Sequence, residues 1–577
     1  MITQVILIFF TIASYIVSIY LYIKQPYNSS YSFILWAISI LLLLLYLTYK
    51  ERVKINRAFH QKSISLVKFL KSNKLLFVII ILAIIVRFWN ITSIPILTHD
   101  EGKDAGLFPQ KIISRELKDY FGFNAGINNM FFVVSSIPHL FLVDPILKVR
   151  FFSALFGVFS VILVYVLAKN IASKKTALIS AIFLSVYHIH VHFSRTEFLN
   201  LFDSFYALII FIVFSLLSRD WEIKNIILLA IILGIGLHFY SGIRALILLT
   251  FITFLIFTFI KCGIKKSIGF IVVFLIFFLI ALGPMLIVMA TRKDESMALG
   301  TATYVFSPNQ TFNSNLNKIA INYKESLLAY VKTPIDFHYK YGGPFLFFPF
   351  SVFFIFGFIL ILKRVKSPIN FLIASSIIGI PFFNSAIFTN INFTHRLLSL
   401  VPPIILLTSL GLEKSAFLIK KIINIKAETL FIVTVCIFFI AYNIHLYFYK
   451  NIWEKTLNIN EFRAWEMQKI INQEDNRNSV VLFIGISYYP SYKSVPPLEY
   501  LTKKYTVIDI LNPEMLYKII NYRNFNYLFI ILPDNNIISK EQILTKYFYP
   551  NKPYLKKVYY KSIYLFDILK ITKPNEY

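Results

Sequence analysis

Apolar residues in this chain come in runs, and the runs have the length of a bilayer. They lie near 3–23, 31–49, 74–91, 149–168, 176–193, 200–217, 224–240, 243–261, 268–290, 344–362, 369–388, 397–412 and 429–448. A helix needs roughly 20 apolar residues to cross the hydrocarbon core, so the runs amount to about thirteen spans. Within lipid the backbone must satisfy its own polar groups, and a run of this kind does so as a helix. The expected fold is an all-α polytopic membrane protein. With charged residues at 15% of 577 positions and a mean hydropathy of +0.67, composition agrees.

The net charge of +29 would suit a nucleic-acid partner if the basic residues formed a face. They cluster instead in short stretches between apolar runs, which is how orientation in a membrane is written. The stretch 50–74 is strongly basic and is expected in the cytoplasm. Counting alternately, the connections at Lys174–Lys175, Arg219–Lys224, Lys261–Lys266, Lys363–Lys366 and Lys414–Lys426 fall on the same side. The N-terminus is then inside, the C-terminus outside, and the setting a plasma membrane crossed many times. The first run lacks a basic leader and a small-residue cleavage site, so it reads as a retained span. Cys262 and Cys436 sit at a span end and inside a span, which argues against a disulfide framework or thiolate metal site.

Two outward connections are long, 92–148 and 291–343. The first holds DAGLFPQKIISRELKDYF and INNMFFVVSSIPHLFLV, both expected as amphipathic helices at the interface. From about 450 the pattern changes. SVVLFIGI, YTVIDI, NYLFIIL and KKVYYKSIYLFDI read as strands; NEFRAWEMQKIINQ, PEMLYKIINY and KEQILTKYF read as helices. The expected organisation is two N-terminal spans with a basic loop (1–73), a membrane domain (74–449) and a small extracytoplasmic α/β domain (450–577). That last domain shows no glycine-rich phosphate loop and no nucleophile elbow, which leaves it a structural or acceptor-handling role.

Chemistry is concentrated in three outward clusters: THDEGKDAG (98–106), HIHVHFSRTEFLNLFD (188–203), and HFYSGIR (238–244) with NFTHRLLSLVPP (392–403). Acids at a bilayer interface are costly unless they work or are paired. Carboxylates and arginines facing one interfacial cavity suit a phosphate-bearing lipid: an acid removes a proton from an incoming hydroxyl, and cations stabilise the departing phosphate. The guanidinium fork binds two phosphate oxygens at once.

The succession VRFWN…P…HDE…G, then KVRFFSALFGVFSVILVYVLAKNIASKKTALISAIFLSVYHIHVHFSR, then GIGLHFYSGIRALILL resembles the family of protein O-mannosyltransferases and the lipid A aminoarabinose transferase. The likeness covers roughly 75–260 and continues more weakly through THRLLSLVPPIILLTSLGLE; the two N-terminal spans look like an addition. The resemblance implies the C-type glycosyltransferase fold and a polyprenyl-phosphate-linked sugar as donor. By position it makes Asp100 the catalytic base and Glu101 its orienting neighbour. Arg195 falls where the family presents a further polar group. Glu197 is then a second acid, with Asp203 as its competitor. The aminoarabinose transferase's lysine-proline element has no counterpart, since GINNMFF stands there. Donor-phosphate contacts are therefore sought at Lys103, Arg244, Arg396 and Arg195. The sugar, and whether the acceptor is a protein, lipid or glycan, stay open.

Each residue also has a structural reading. Arg87 near its span end is expected to snorkel to the interface. Arg244 and Arg396 serve equally as outer-end anchors, and Glu197 as a helix-start charge. His188, His190 and His192 would share a face on an extended segment, where His190 and His192 become candidate ligands of a divalent metal with Asp100 or Glu101. On a helix they would not line up. No cofactor is otherwise required. Two other functions compete: a transporter or flippase of lipid-linked sugars, expected to carry mid-membrane polar residues or repeated halves, and a polysaccharide polymerase or ligase resting on arginines.

Overall fold

The computed structural model describes the chain apart from residues 1, 60–73, 125, 197, 240, 293–310, 333–342, 387–393, 452, 455–456, 458, 475–478, 486–490, 503, 511–514, 516–525, 533–553 and 572–577. It divides into two compact units. The first comprises Met1–Ile91, Arg115–Ser135 and Arg150–Thr456; the second comprises Thr92–Ser114, Ser136–Val149 and Leu457–Tyr577. Of the connection 92–148, residues 115–135 fall in the first unit and 92–114 and 136–148 in the second.

In the first unit each apolar run carries a helix. Among the described residues, seven helices are long and apolar enough to cross a membrane, and three shorter apolar helices accompany them. One of the seven, Arg244–Leu282, is 39 residues long and folds back on itself. Gly263 has φ 73° and ψ 163°, a left-handed conformation open to glycine. Phe254 and Phe274 stack with ring centroids 4.9 Å apart, whereas a straight helix would separate them by about 30 Å. The two runs read on either side of the KCGIKK turn are the two arms. The run at 176–193 also breaks. Tyr187 leaves the helical region (ψ 114°), separating Lys174–Val186 from the single turn and a half His188–Phe193.

The N-terminal pair, Ile2–Lys24 and Ser30–Phe59, is joined by reciprocal bonds: Ser18 Oγ donates to Ser32 O at 2.7 Å, and Ser32 Oγ to Ser18 O at 2.9 Å. Small hydroxyl residues let two helices approach closely in lipid. The pair is built into the first unit. Trp36 donates to Ile280 O at 3.0 Å and lies edge-on to Phe121, 5.6 Å between centroids. One end of the unit gathers the lysine-rich connections. Lys175 Nζ is 2.6 Å from Glu428 Oε1, Ser173 Oγ donates to Glu413 at 2.8 Å, and Arg219 bonds Asn170 O. These contacts put the connections near 174, 219 and 414–428 at one end, as the charge alternation requires.

The second unit holds a five-stranded sheet. The connection 92–148 also carries a two-residue ladder in the first unit, β1 (Phe123–Asn124) with β2 (Ile127–Asn128). The sheet is formed by β3 (Ser479–Ile484), β4 (Thr506–Asp509), β5 (Asn526–Ile531), β6 (Tyr554–Tyr560) and β7 (Ile563–Ile571), in the order β4-β3-β5-β7-β6. β3 is parallel to β4 and β5; β7 is antiparallel to β5 and β6. KKVYYKSIYLFDI, expected as one strand, is a hairpin that turns at Lys561, which has φ 54°. β3 is buried throughout, which explains its unbroken apolar run. The helix expected at 460–473 spans Ile459–Ile471. The helices expected at 513–522 and 540–548 fall outside the described residues, save Met515.

Candidate active site

The acid turn lies in the second unit. Its helix starts after Thr98, and Thr98 and Glu101 close a capping box: the Thr98 N–H donates to Glu101 Oε2 at 2.8 Å, and the Glu101 N–H to Thr98 Oγ1 at 3.4 Å. A threonine followed three residues later by glutamate satisfies two of the otherwise orphaned N–H groups at a helix start. From Glu101 to Leu107 the helix widens to a π form, then continues as Phe108–Ile113. The expected amphipathic helix is therefore short, ending at Ser114 instead of near Phe121.

Asp100 and Glu101, adjacent in sequence, have different surroundings. Glu101 is fully buried. The Asp100 side chain is 25% exposed and accepts from Lys103 Nζ at 3.2 Å. On the other side Lys103 faces Asp104 Oδ1 at 3.4 Å, and the Asp104 side chain is 1% exposed. One ammonium therefore stands between two carboxyls. Burial, reinforced by the Asp100 charge, pushes the Asp104 carboxyl up to about 7 against the pull of Lys103. Asp104 did not stand out in the sequence, although it lies within the same nine residues. Nearby, His139 Nε2 bonds Ala105 O at 2.9 Å, and burial holds this imidazole down at about 4. The ring is neutral at pH 7, and the carbonyl assigns the proton to Nε2.

The first unit brings a second set together. Asp203, fully buried on helix Phe198–Arg219, sits against Gly242, leaving no room there for a Cβ. Asn384 Nδ2 donates to Gly242 O at 2.6 Å and to Arg396 O at 2.8 Å. The HFYSGIR and THRLL segments meet as expected, with Arg244 exposed and Arg396 half-buried. Asn384 is the hinge of that meeting and was not anticipated. Glu197 lies outside the described residues.

Two arginines do something other than expected. Arg87 does not snorkel; it is fully buried and donates to Ser185 O at 2.8 Å, Leu184 O at 3.0 Å and His190 Nδ1 at 2.9 Å. Arg195, expected on the donor phosphate, is also fully buried. Its Nη1 donates to Val86 O at 2.8 Å and Arg87 O at 3.0 Å, and its Nη2 to Trp89 O at 2.8 Å. Each guanidinium satisfies the last carbonyls of a neighbouring helix, where orphaned acceptors and the negative dipole end favour a cation. His188, His190 and His192 are buried on one short helix, where about 200° separates alternate rings: His188 and His192 share a face and His190 points away from both, so the three do not line up. Among the described residues no group of three His, Cys, Asp or Glu side chains is placed to hold a metal.

Residues 130–287 match the sequence profile of the family described as dolichyl-phosphate-mannose-protein mannosyltransferase. No curated protein sequence matches the chain. Among solved structures, ArnT from Cupriavidus metallidurans bound to undecaprenyl phosphate aligns with a TM-score of 0.53 at 11% identity, over 86% of this chain and 97% of that one. The same protein in the apo state gives 0.53 and 11% over 87% and 98%. The archaeal oligosaccharyltransferase AglB from Archaeoglobus fulgidus aligns with a TM-score of 0.47 at 12% identity, over 84% and 71%. The chain is thus similar in fold, over most of its length, to ArnT, and in sequence, over 130–287, to the dolichyl-phosphate-mannose-protein mannosyltransferase family.

Proposed function

We propose that the protein transfers a sugar from a polyprenyl-phosphate donor to an acceptor hydroxyl or amine on the outer face of the membrane, with Asp100 as the base. The supporting observation is the acid turn: a part-exposed carboxylate on a capped helix start, paired with Lys103. As the acceptor oxygen or nitrogen forms its bond to the anomeric carbon, its proton passes to an Asp100 oxygen. The bond from that carbon to the lipid phosphate breaks, and the phosphate leaves with the electron pair. One displacement inverts the anomeric centre. Lys103, Arg244 and Arg396 are assigned to the phosphate charge, Glu101 to orienting the turn, and Glu197 to a second acid. The lysine-rich end of the first unit is assigned to the cytoplasm and the C-terminal sheet to the outside.

Purified protein incubated with radiolabelled polyprenyl-phosphate sugars and membrane extract tests this reading. The wild type should label a product, and Asp100→Asn should lose on the order of 10²–10⁴ in rate, the usual contribution of a positioned base, while still binding donor. An Asp100→Asn variant that transfers like wild type would point to the arginine-based polymerase or ligase chemistry instead.

A further inference from the structure

The acid turn lies against a short stretch of the C-terminal domain. Its two glycines, Gly102 and Gly106, are four residues apart in a π-helical turn and so share an edge. A Cβ on Gly102 would lie 2.6 Å from Pro497 N and 2.7 Å from Pro497 Cα; one on Gly106 would lie 2.8 Å from the ring of Tyr500. Neither glycine has a positive φ, so what the turn needs from them is room and not conformational freedom. Both partners sit on the helix Pro496–Leu501, which begins with the Pro-Pro pair and whose Tyr500 is buried. The Tyr500 hydroxyl donates to Pro145 O at 2.8 Å, and its ring lies 6.0 Å from that of His139, which in turn bonds Ala105 O. One tyrosine thus ties together the acid turn, the His139 segment and the start of the helix Pro145–Ile171.

We infer that the C-terminal domain is a clamp for the acid turn, and that Tyr500 and the Pro496–Pro497 pair are positioning residues that set where the Asp100 carboxylate points. This inference rests on the reading of Asp100 as the base and deepens it, giving the C-terminal domain a part in the reaction. The physical reason is local. A π-helical turn is rare and frequently marks a functional site, and here the atoms packed against its two glycines come from the helix Pro496–Leu501. Backbone atoms of a Pro-Pro pair and a fixed aromatic ring are unyielding surfaces. A base displaced by about 1 Å loses on the order of 100-fold in rate.

The test compares Tyr500→Ala, Tyr500→Phe and Gly106→Ala in the full-length protein. Tyr500→Ala removes the ring under Gly106; kcat should fall about 100-fold, and the donor KM should rise with it because Lys103 rides on the same turn. Tyr500→Phe keeps the ring and should recover kcat to within about fivefold of wild type. Amide hydrogen exchange supplies a readout independent of activity. Amides of 101–107 should exchange at least about tenfold faster in Tyr500→Ala but not in Tyr500→Phe, with strand β3 equally protected in both. Wild-type kcat together with a protected turn in Tyr500→Ala would overturn the clamp. If that variant loses protection in β3 as well, Gly106→Ala decides, because it changes no residue of the C-terminal domain: it must slow kcat and loosen the turn, and a normal kcat there rejects the inference. If the wild type transfers no sugar at all, the proposed reaction fails while the exchange data still decide whether the turn is clamped.

Discussion

Thr98 and Glu101 hold each other at the start of the acid turn, the Thr98 N–H on Glu101 Oε2 at 2.8 Å and the Glu101 N–H on Thr98 Oγ1 at 3.4 Å. The glutamate next to the proposed base is therefore an acceptor in a cap, a task that needs its oxygen and not its charge. Glu101→Gln should retain the cap and keep transfer within about tenfold of wild type, whereas Glu101→Ala should lose far more. Thr98→Ala should lower stability by about 1 kcal/mol, the usual cost of a lost N-cap. Initial rates and thermal unfolding in detergent measure these; a Gln variant as inactive as the Ala variant would assign the charge a direct role.

Asp104 makes a prediction about pH. Its carboxyl is held up at about 7 by burial, against about 3.9 in an unfolded chain. Between these values the folded protein binds a proton that the unfolded chain has already released. Stability from this group is therefore fully present at acid pH and is lost as pH rises to about 7, with a slope of at most about 1.4 kcal/mol per pH unit. Asp104→Asn should flatten that part of the profile and leave the variant relatively more stable above pH 7. Melting temperatures of both proteins from pH 4.5 to 8.5 test this, and parallel profiles would show that Asp104 does not titrate there.

Arg87 is expected to be irreplaceable by lysine. Its guanidinium reaches Ser185 O, Leu184 O and His190 Nδ1 at 2.8–3.0 Å from full burial, and a single ammonium cannot span that fork. Arg87→Lys and Arg87→Ala should both cost roughly 3 kcal/mol, because buried carbonyls lose charged donors. The readout is the yield of monodisperse protein and its melting temperature. A lysine variant with wild-type stability would mean that charge alone suffices.

Arg292 ties the stretch 115–135 to the rest of the first unit. Its Nη1 lies 2.7 Å from Asp119 Oδ2, with both side chains about one-tenth exposed, and Nη2 bonds the Tyr22 hydroxyl. A pair so shielded should couple by about 1–3 kcal/mol in a double-mutant cycle of Arg292→Met with Asp119→Asn. A coupling near zero would place it with ordinary surface pairs.

Much of the membrane part can be read without coordinates, because a bilayer imposes one length and one polarity on whatever crosses it. The apolar runs carry helices, the KCGIKK turn is where Arg244–Leu282 folds back, and the lysine-rich connections near 174, 219 and 414–428 gather at one end. Strand content in the C-terminal region is likewise visible from period and composition. The capping box is legible too, as Thr98-x-x-Glu101, a threonine followed three residues later by glutamate.

What each charged group does was decided by tertiary structure. Arg87 and Arg195 look from the sequence like an interfacial anchor and a phosphate ligand. Burial against the ends of neighbouring helices makes both of them caps. Asp104 becomes a raised-pKa carboxyl because its turn is buried, and that turn seats Gly102 and Gly106 on Pro497 and Tyr500, from the far end of the chain. Local sequence specifies periodicity and hydropathy, properties of neighbours along the chain. The state of an ionisable group depends on which distant atoms exclude water from it, and only the folded chain brings those atoms near.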